Sequence, residues 1–253
     1  MYFDTHAHYD DAAFSADRDE LLPAVAAEGV ALILDPGCDL SSSRAALSLA
    51  ERFSFVYAAV GIHPEELDTL TPTSLDELAA LAAHPRCVAI GEIGLDYYWD
   101  ATHKDAQRAL FAAQLELALA LDKPVIVHDR EAHADALELV CRYEGLRGVF
   151  HCYSGSVEMA RELLRRGWYI GFDGPLTYKN ARRALEVAEV CPLERILIET
   201  DSPYLSPVPM RGKRNDSRNL RYIAEKLAEI KGISPAEVAA ATMENGKRLF
   251  SIE

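Results

Sequence analysis

Eight short apolar runs recur along the chain, separated by segments of helical periodicity. After the opening "YFDT" come "VALILDPG" at 30–37, "FVYAAVGIHP" at 55–64, "CVAIGEIGLDYY" at 87–98 and "PVIVHDR" at 124–130. "GVFHCYSG" at 148–155, "WYIGFDGP" at 168–175 and "RILIETDSP" at 195–203 complete the series. Runs this continuously apolar and rich in β-branched residues read as strands buried on both faces. Between them, "SADRDELLPAVAAEG", "TSLDELAALAAH", "DAQRALFAAQLELALAL" and "SVEMARELLRRG" carry the helical period. The last has Ser156 where a helix would start and Gly167 where it would stop. Eight strand-then-helix units in one chain predict an α/β fold of the (β/α)8 TIM-barrel type. A doubly wound sheet is the structural competitor, but no Gly-rich dinucleotide loop follows the first strand. The C-terminal "SPAEVAAATMENGKRLF" predicts one or two extra helices packed on the outside. Neither a linker nor a low-complexity tract interrupts the pattern, so residues 1–253 are expected to form a single domain.

Composition narrows the function classes. With 49% hydrophobic residues over 253 positions the chain can bury a sizeable core, and 26 Lys+Arg against 40 Asp+Glu leave a formal net charge of −14. That balance argues against a protein that coats nucleic acid or rests on an anionic membrane, though not against a small cationic patch beside a pocket. Five widely spaced cysteines without a CxxC pair argue for free thiols rather than a disulfide framework or zinc ribbon. The N-terminus lacks the basic and apolar regions of a signal peptide, and no apolar stretch is long enough to span a bilayer. A soluble, cytoplasmic enzyme with no obligate protein partner is the expectation.

In a barrel the C-terminal strand ends meet on one face, and chemistry is built there. His6 and His8 end the first strand, His63 follows the third, Glu92 lies in the fourth, and His128, His151 and Asp201 end the fifth, sixth and eighth. Side chains two apart on a strand share a face, so His6 and His8 can reach one ion together. Imidazoles bind a dication without neutralising it; Glu92 and Asp201 supply negative charge, and a carboxylate can bridge two ions. A lone strand histidine is usually a hydrogen-bonded core residue, but His6, His8, Glu92, His128, His151 and Asp201 together at one end of a barrel point to a centre for two divalent metals. Asp4 fits an orienting role better than a ligand role.

"FDTHAH", "GIHPE", "IGEIGLDYY", "KPVIVHDR", "FHCYSG", "GPLTYKNA", "IETDSPYL" and "TMENGKRLF" together resemble the TatD-type metal-dependent deoxyribonucleases of the amidohydrolase-like barrel superfamily. The resemblance spans essentially the whole chain. It implies a (β/α)8 barrel that hydrolyses DNA phosphodiesters, with His6, His8, Glu92 and Asp201 holding one ion. Glu92, His128 and His151 would hold the second, Glu92 being the bridge. The sequence departs from the commoner pattern at Glu65 of "GIHPE" and at Asp216-Ser217.

The chemistry expected of this set is attack by a metal-activated water, with Asp201 and Glu92 as the catalytic carboxylates and Asp201 handling the nucleophile's proton. Mg, Mn and Zn all remain open as the metal. Candidate phosphate donors are His63, Arg130, Lys179 and Arg211, with Lys213 and Arg214 in the same loop as Arg211. Tyr97, Tyr98, Tyr153 and Tyr204 follow strand ends and could stack bases. So few donors on an acidic chain predict an exonuclease-like footprint on single-stranded or frayed DNA ends, with a shallow salt dependence. The same ligands would also serve a hydrolase of small esters, lactones, amides or phosphoesters.

Overall fold

The computed structural model describes residues 1–253. Strand β1 (Tyr2–Asp4) is followed by α1 (Arg18–Ala27), β2 (Val30–Pro36), α2 (Leu40–Arg52), β3 (Val56–Val60) and α3 (Ser74–Ala82). Next come β4 (Cys87–Asp96), α4 (Lys104–Ala120), β5 (Val125–Arg130), α5 (His133–Arg142), β6 (Gly148–Phe150) and α6 (Val157–Arg165). The chain ends with β7 (Tyr169–Phe172), α7 (Arg182–Val190), β8 (Ile196–Ile198), α8 (Leu220–Lys231) and α9 (Pro235–Phe250). All neighbouring strands pair in parallel, in chain order from β1 to β8. The seam between β8 and β1 is closed by Thr5 N donating to Ile198 O (3.3 Å) and His8 N donating to Ser202 O (2.8 Å). The fold is a (β/α)8 barrel.

Alternation along the strands divides the apolar residues into two layers. Phe3, Leu34, Ala59, Ala89, Ile126, Val149, Tyr169 and Leu197, one from each strand, form an inner cluster. Their neighbours, among them Ile33, Ile90, Phe150 and Ile198, face the helices instead. Sequence reading placed one or two C-terminal helices on the outside; there is one beyond α8, and its end closes the barrel. Leu249, Phe250 and Ile252 pack into the inner cluster, with the Phe250 ring edge-on to Phe3 at 6.1 Å. The start of α9 is set by Ser234 and Glu237, which cap each other's backbone N–H groups, and by Pro235 in the first turn.

The strands stop earlier than the apolar runs do. β1 ends at Asp4, β3 at Val60, β6 at Phe150 and β8 at Ile198, so His6, His8, His63, His151 and Asp201 lie in the loops just beyond. The chain nevertheless keeps strand-like partners there: Ala7 N donates to Leu34 O, and His151 N to Val127 O. With its floor plugged by α9, the barrel can receive a ligand only from the other end.

Candidate metal centre

Two residues above the inner apolar layer, the strands exchange hydrocarbon for donors. Ile126 is followed at that spacing by His128, Val149 by His151 and Leu197 by Glu199, so period two carries each inward. The layer has room because β7 contributes Gly171: a Cβ there would lie 2.5 Å from Glu199 Oε1. β4 approaches β5 just as closely at Gly94, where φ is +151° and a Cβ would come within 1.9 Å of His128 O.

Glu92, at the centre, is buried, and each of its oxygens faces a separate group of donors. Around Oε2 lie His6 Nε2 at 3.2 Å and His8 Nε2 at 3.5 Å. Asp201 Oδ1 is 3.6 Å from the first imidazole and 3.4 Å from the second, and the two imidazoles are 3.1 Å apart. Tetrahedral ligands about 2.0–2.1 Å from a zinc-sized ion are separated by roughly 3.3 Å, and each of the two imidazole nitrogens stands 3.1–3.6 Å from the other and from both carboxylate oxygens, close to that spacing. Around Oε1 lie His151 Nε2 at 2.8 Å and His128 Nδ1 at 2.9 Å, themselves 3.4 Å apart. His63 Nε2 is 3.7 Å from the same oxygen.

Partners on the far side fix the orientation of His8 and His128. His8 Nδ1 faces Pro36 O at 3.1 Å, which leaves the Nε2 lone pair free for an ion. His128 Nε2 meets Asp96 Oδ2 at 3.0 Å. His6 and His151 stack at 3.9 Å, their Nδ1 atoms buried and without a hydrogen-bond partner. Both rings converge with Glu199, whose Oε1 is 3.6 Å from His151 Nδ1. His63 is different: its Nδ1 accepts from Glu65 N at 3.2 Å, so the neutral ring carries its proton on Nε2. Sequence reading missed Asp96 and Glu199, because an acid inside or just after an apolar run gives no sign of which ring it will face. Asp4 is a clasp on the seam: it accepts from Thr200 N (3.0 Å) and Thr200 Oγ1 (2.6 Å), which positions the residue before Asp201.

Electrostatics follow from this crowding. Burial would raise Glu92, but His151, His6 and His128 hold it well below the usual carboxylate range. Asp201 is lowered likewise, burial being outweighed by His8 and His6. Burial opposes charge on His128, yet the Asp96 and Glu92 carboxylates raise it to about 9. Burial lowers His63 to about 3, and it stays neutral.

The centre opens into a cavity of about 940 Å³, whose only lysine or arginine lining residues are Arg130 and Arg183. Arg183 was not foreseen; it stands at the start of α7 and donates to Ser154 O at 3.1 Å. Lys179 is exposed beside the cavity without lining it, and Arg211 lies over the Tyr178 ring, 3.9 Å from its centroid. Lys213 is exposed, and Arg214 is paired with Asp17 at 2.6 Å, away from the centre. Glu65, Glu66, Asp129 and Glu131 make the cavity wall acidic; Asp173 lines it too, but burial, with Glu199 and Asp201 nearby, raises its carboxyl well above the usual range. The other three histidines pair with carboxylates outside the donor layer: His84 with Glu51, His103 with Asp100, and His133 with Asp129 of the cavity wall. No helix is long and apolar enough to cross a membrane.

Comparison with known proteins agrees with the geometry. Residues 3–251 match the model of the family described as TatD related DNase. An uncharacterized metal-dependent hydrolase of Bacillus subtilis, YabD, is 41% identical over 254 residues, with both chains fully covered. A Salmonella typhimurium protein named 3'-5' ssDNA/RNA exonuclease TatD is 36% identical over 259 residues, covering 99% of each. The crystal structure of the TatD homologue YJJV from Escherichia coli superposes with a TM-score of 0.94 at 32% identity, covering 100% of this chain and 98% of that one. With its histidines and carboxylates gathered as a divalent-metal centre would need, the chain belongs to the TatD family of metal-dependent hydrolases.

Proposed function

We infer that this protein is an exonuclease-like deoxyribonuclease, cleaving phosphodiester bonds at single-stranded or frayed DNA ends with two divalent ions. The observation that carries the reading is Glu92, whose two oxygens each face a separate set of donors. His6, His8, Asp201 and Glu92 would hold one ion, and His128, His151 and Glu92 the other. Bound there, Mg, Mn or Zn would supply Lewis-acid polarisation of the phosphoryl group and acidify water. Asp201, kept ionised by His8 and His6, would take the proton of the attacking water. The neutral His63 presents Nε2–H as a hydrogen-bond donor to a phosphoryl oxygen without adding charge. Arg130 and Arg183 would hold neighbouring phosphates at the cavity wall, while Lys179 and Arg211 could meet only nucleotides leaving it.

Two arginines are too few to clamp a long duplex, and the acidic wall repels phosphate wherever the ions do not offset it. A strand end entering the cavity fits both facts, and a Salmonella relative carries an exonuclease name. The test is to incubate the metal-loaded protein with labelled single strands whose 3' ends are free or blocked, beside a panel of carboxylic esters and lactones. Stepwise shortening of free-ended strands is expected. Turnover of the esters with intact DNA would replace the nuclease reading with that of a small-molecule hydrolase.

A further inference from the structure

Three large aromatic side chains of this protein are exposed, and all stand in loops at the open end of the barrel. Tyr98 and Trp99, 57% and 63% exposed, follow β4, and Tyr204, 54% exposed, follows β8. Leaving such rings in water forgoes the free energy of burying them, and aromatic clusters of this kind mark interaction surfaces. Tyr204 and Trp99 both line the cavity that leads to the candidate metal centre, but Tyr204 is held by a hydrogen bond from its hydroxyl to Asp11 (2.7 Å).

The backbone beneath Trp99 is rigidly tied to that centre. Asp96 Oδ1 accepts from both Tyr98 N and Trp99 N, each at 2.9 Å, while Oδ2 meets His128 Nε2. One buried carboxylate therefore sets both the ligand ring and the aromatic pair. Gln107, also buried, accepts from Asp96 N (2.9 Å) and donates to the carbonyls of Asp96 (3.0 Å) and Asp100 (2.9 Å), closing the loop from below. Tyr98 stands edge-on to Trp99 with centroids 4.9 Å apart, and Arg130 lies over the Tyr98 ring at 4.0 Å and 5.4 Å from the Trp99 centroid. A flat indole beside a guanidinium, both on the wall of a phosphodiesterase-like cavity, matches one nucleotide: base on the ring, phosphate on the cation.

We propose that Trp99 is a nucleobase-stacking platform that seats the terminal base of a single strand, with Tyr98 holding Arg130 in place as the phosphate contact. The proposal rests on the nuclease reading and deepens it. Tyr98 then acts through Arg130, and the aromatic pair gives the enzyme its grip on a base of any identity, since every base offers a π face.

The test uses the metal-loaded protein and two single strands of the same length, one ending in an ordinary 3' nucleotide and one in an abasic 3' residue. Wild type is expected to prefer the ordinary end roughly ten- to hundredfold in kcat/KM. Trp99→Ala should reduce that preference to within about twofold, and Trp99→Phe, which keeps a stacking ring, should restore most of it. A Trp99→Ala variant that retains the preference, or that slows both strands by the same factor, would overturn the proposal. Binding gives an arm that does not need cleavage. Trp168 is 2% exposed, so quenching of indole emission by added strand reports on Trp99. Quenching by the ordinary strand and not the abasic one supports stacking even where no bond is cut, which would sink the nuclease reading alone; no quenching sinks the platform.

Discussion

His128 has a carboxylate on each nitrogen, Glu92 at 2.9 Å and Asp96 at 3.0 Å, so the metal-free ring carries both protons and is raised to about 9. An ion at Nδ1 must displace the proton held there, whereas the Nε2 proton stays with Asp96. Below pH 9 the protonated ring competes with the ion, so metal affinity should rise about tenfold per pH unit for each proton displaced as pH increases towards 9. Calorimetric titration at pH 7 in buffers of different ionisation enthalpy should show at least one proton released as the His128 site fills. Metal uptake with no proton release would show that His128 is not a ligand. At this scale the sequence was informative about donors and silent about their supports. His6, His8, His128 and His151 stand out because imidazoles at consecutive strand ends are unusual. Asp96 and Glu199 do not, since a buried acid is recognised by the ring it faces, and that ring comes from another strand. The phosphate candidates divide for a related reason. Arg130 continues β5 into the mouth, but the loops carrying Lys179 and Arg211 turn their side chains outward, and loop direction has no period to read.

The elements themselves were legible because each unit repeats the same change from a buried apolar run to an amphipathic helix. Their ends were less so: His151 and Asp201 lie beyond the last ladder pairs of β6 and β8, held by backbone bonds that apolarity does not encode. The role of α9 was hidden too. "TMENGKRLF" reads as an outer helix until Leu249 and Phe250 are seen among inward residues of every strand. Truncating Phe250 to Ala leaves a cavity in the barrel floor and should cost about 3–5 kcal/mol. In a chain of this size that lowers the melting temperature by roughly 6–20 °C, measurable by scanning calorimetry on the metal-loaded protein. Below the transition, metal content should be unchanged, since the floor and the donor layer are separate levels of the barrel. An unchanged melting temperature would mean that α9 is not part of the core.

Across the whole molecule, a net charge of −14 and an acidic cavity wall surround a site read here as binding polyanions. Bound cations would offset the wall carboxylates, which Arg130 and Arg183 do not balance alone. The barrel brings residues from both ends of the chain to that centre: the β8–β1 seam sets Asp201 beside His6 and His8, with Asp201 N donating to His6 O at 2.9 Å. On the proposed reading, Glu92 would join two ion sites into one hydrolytic centre. This is tested most directly by measuring bound metal and single-strand DNA hydrolysis on the same preparations of wild type and Glu92→Ala. Wild type is expected to bind about two equivalents, and Glu92→Ala to lose at least one of them and hydrolysis by at least about a thousandfold. Glu92→Ala retaining both its metal and its activity would contradict that reading.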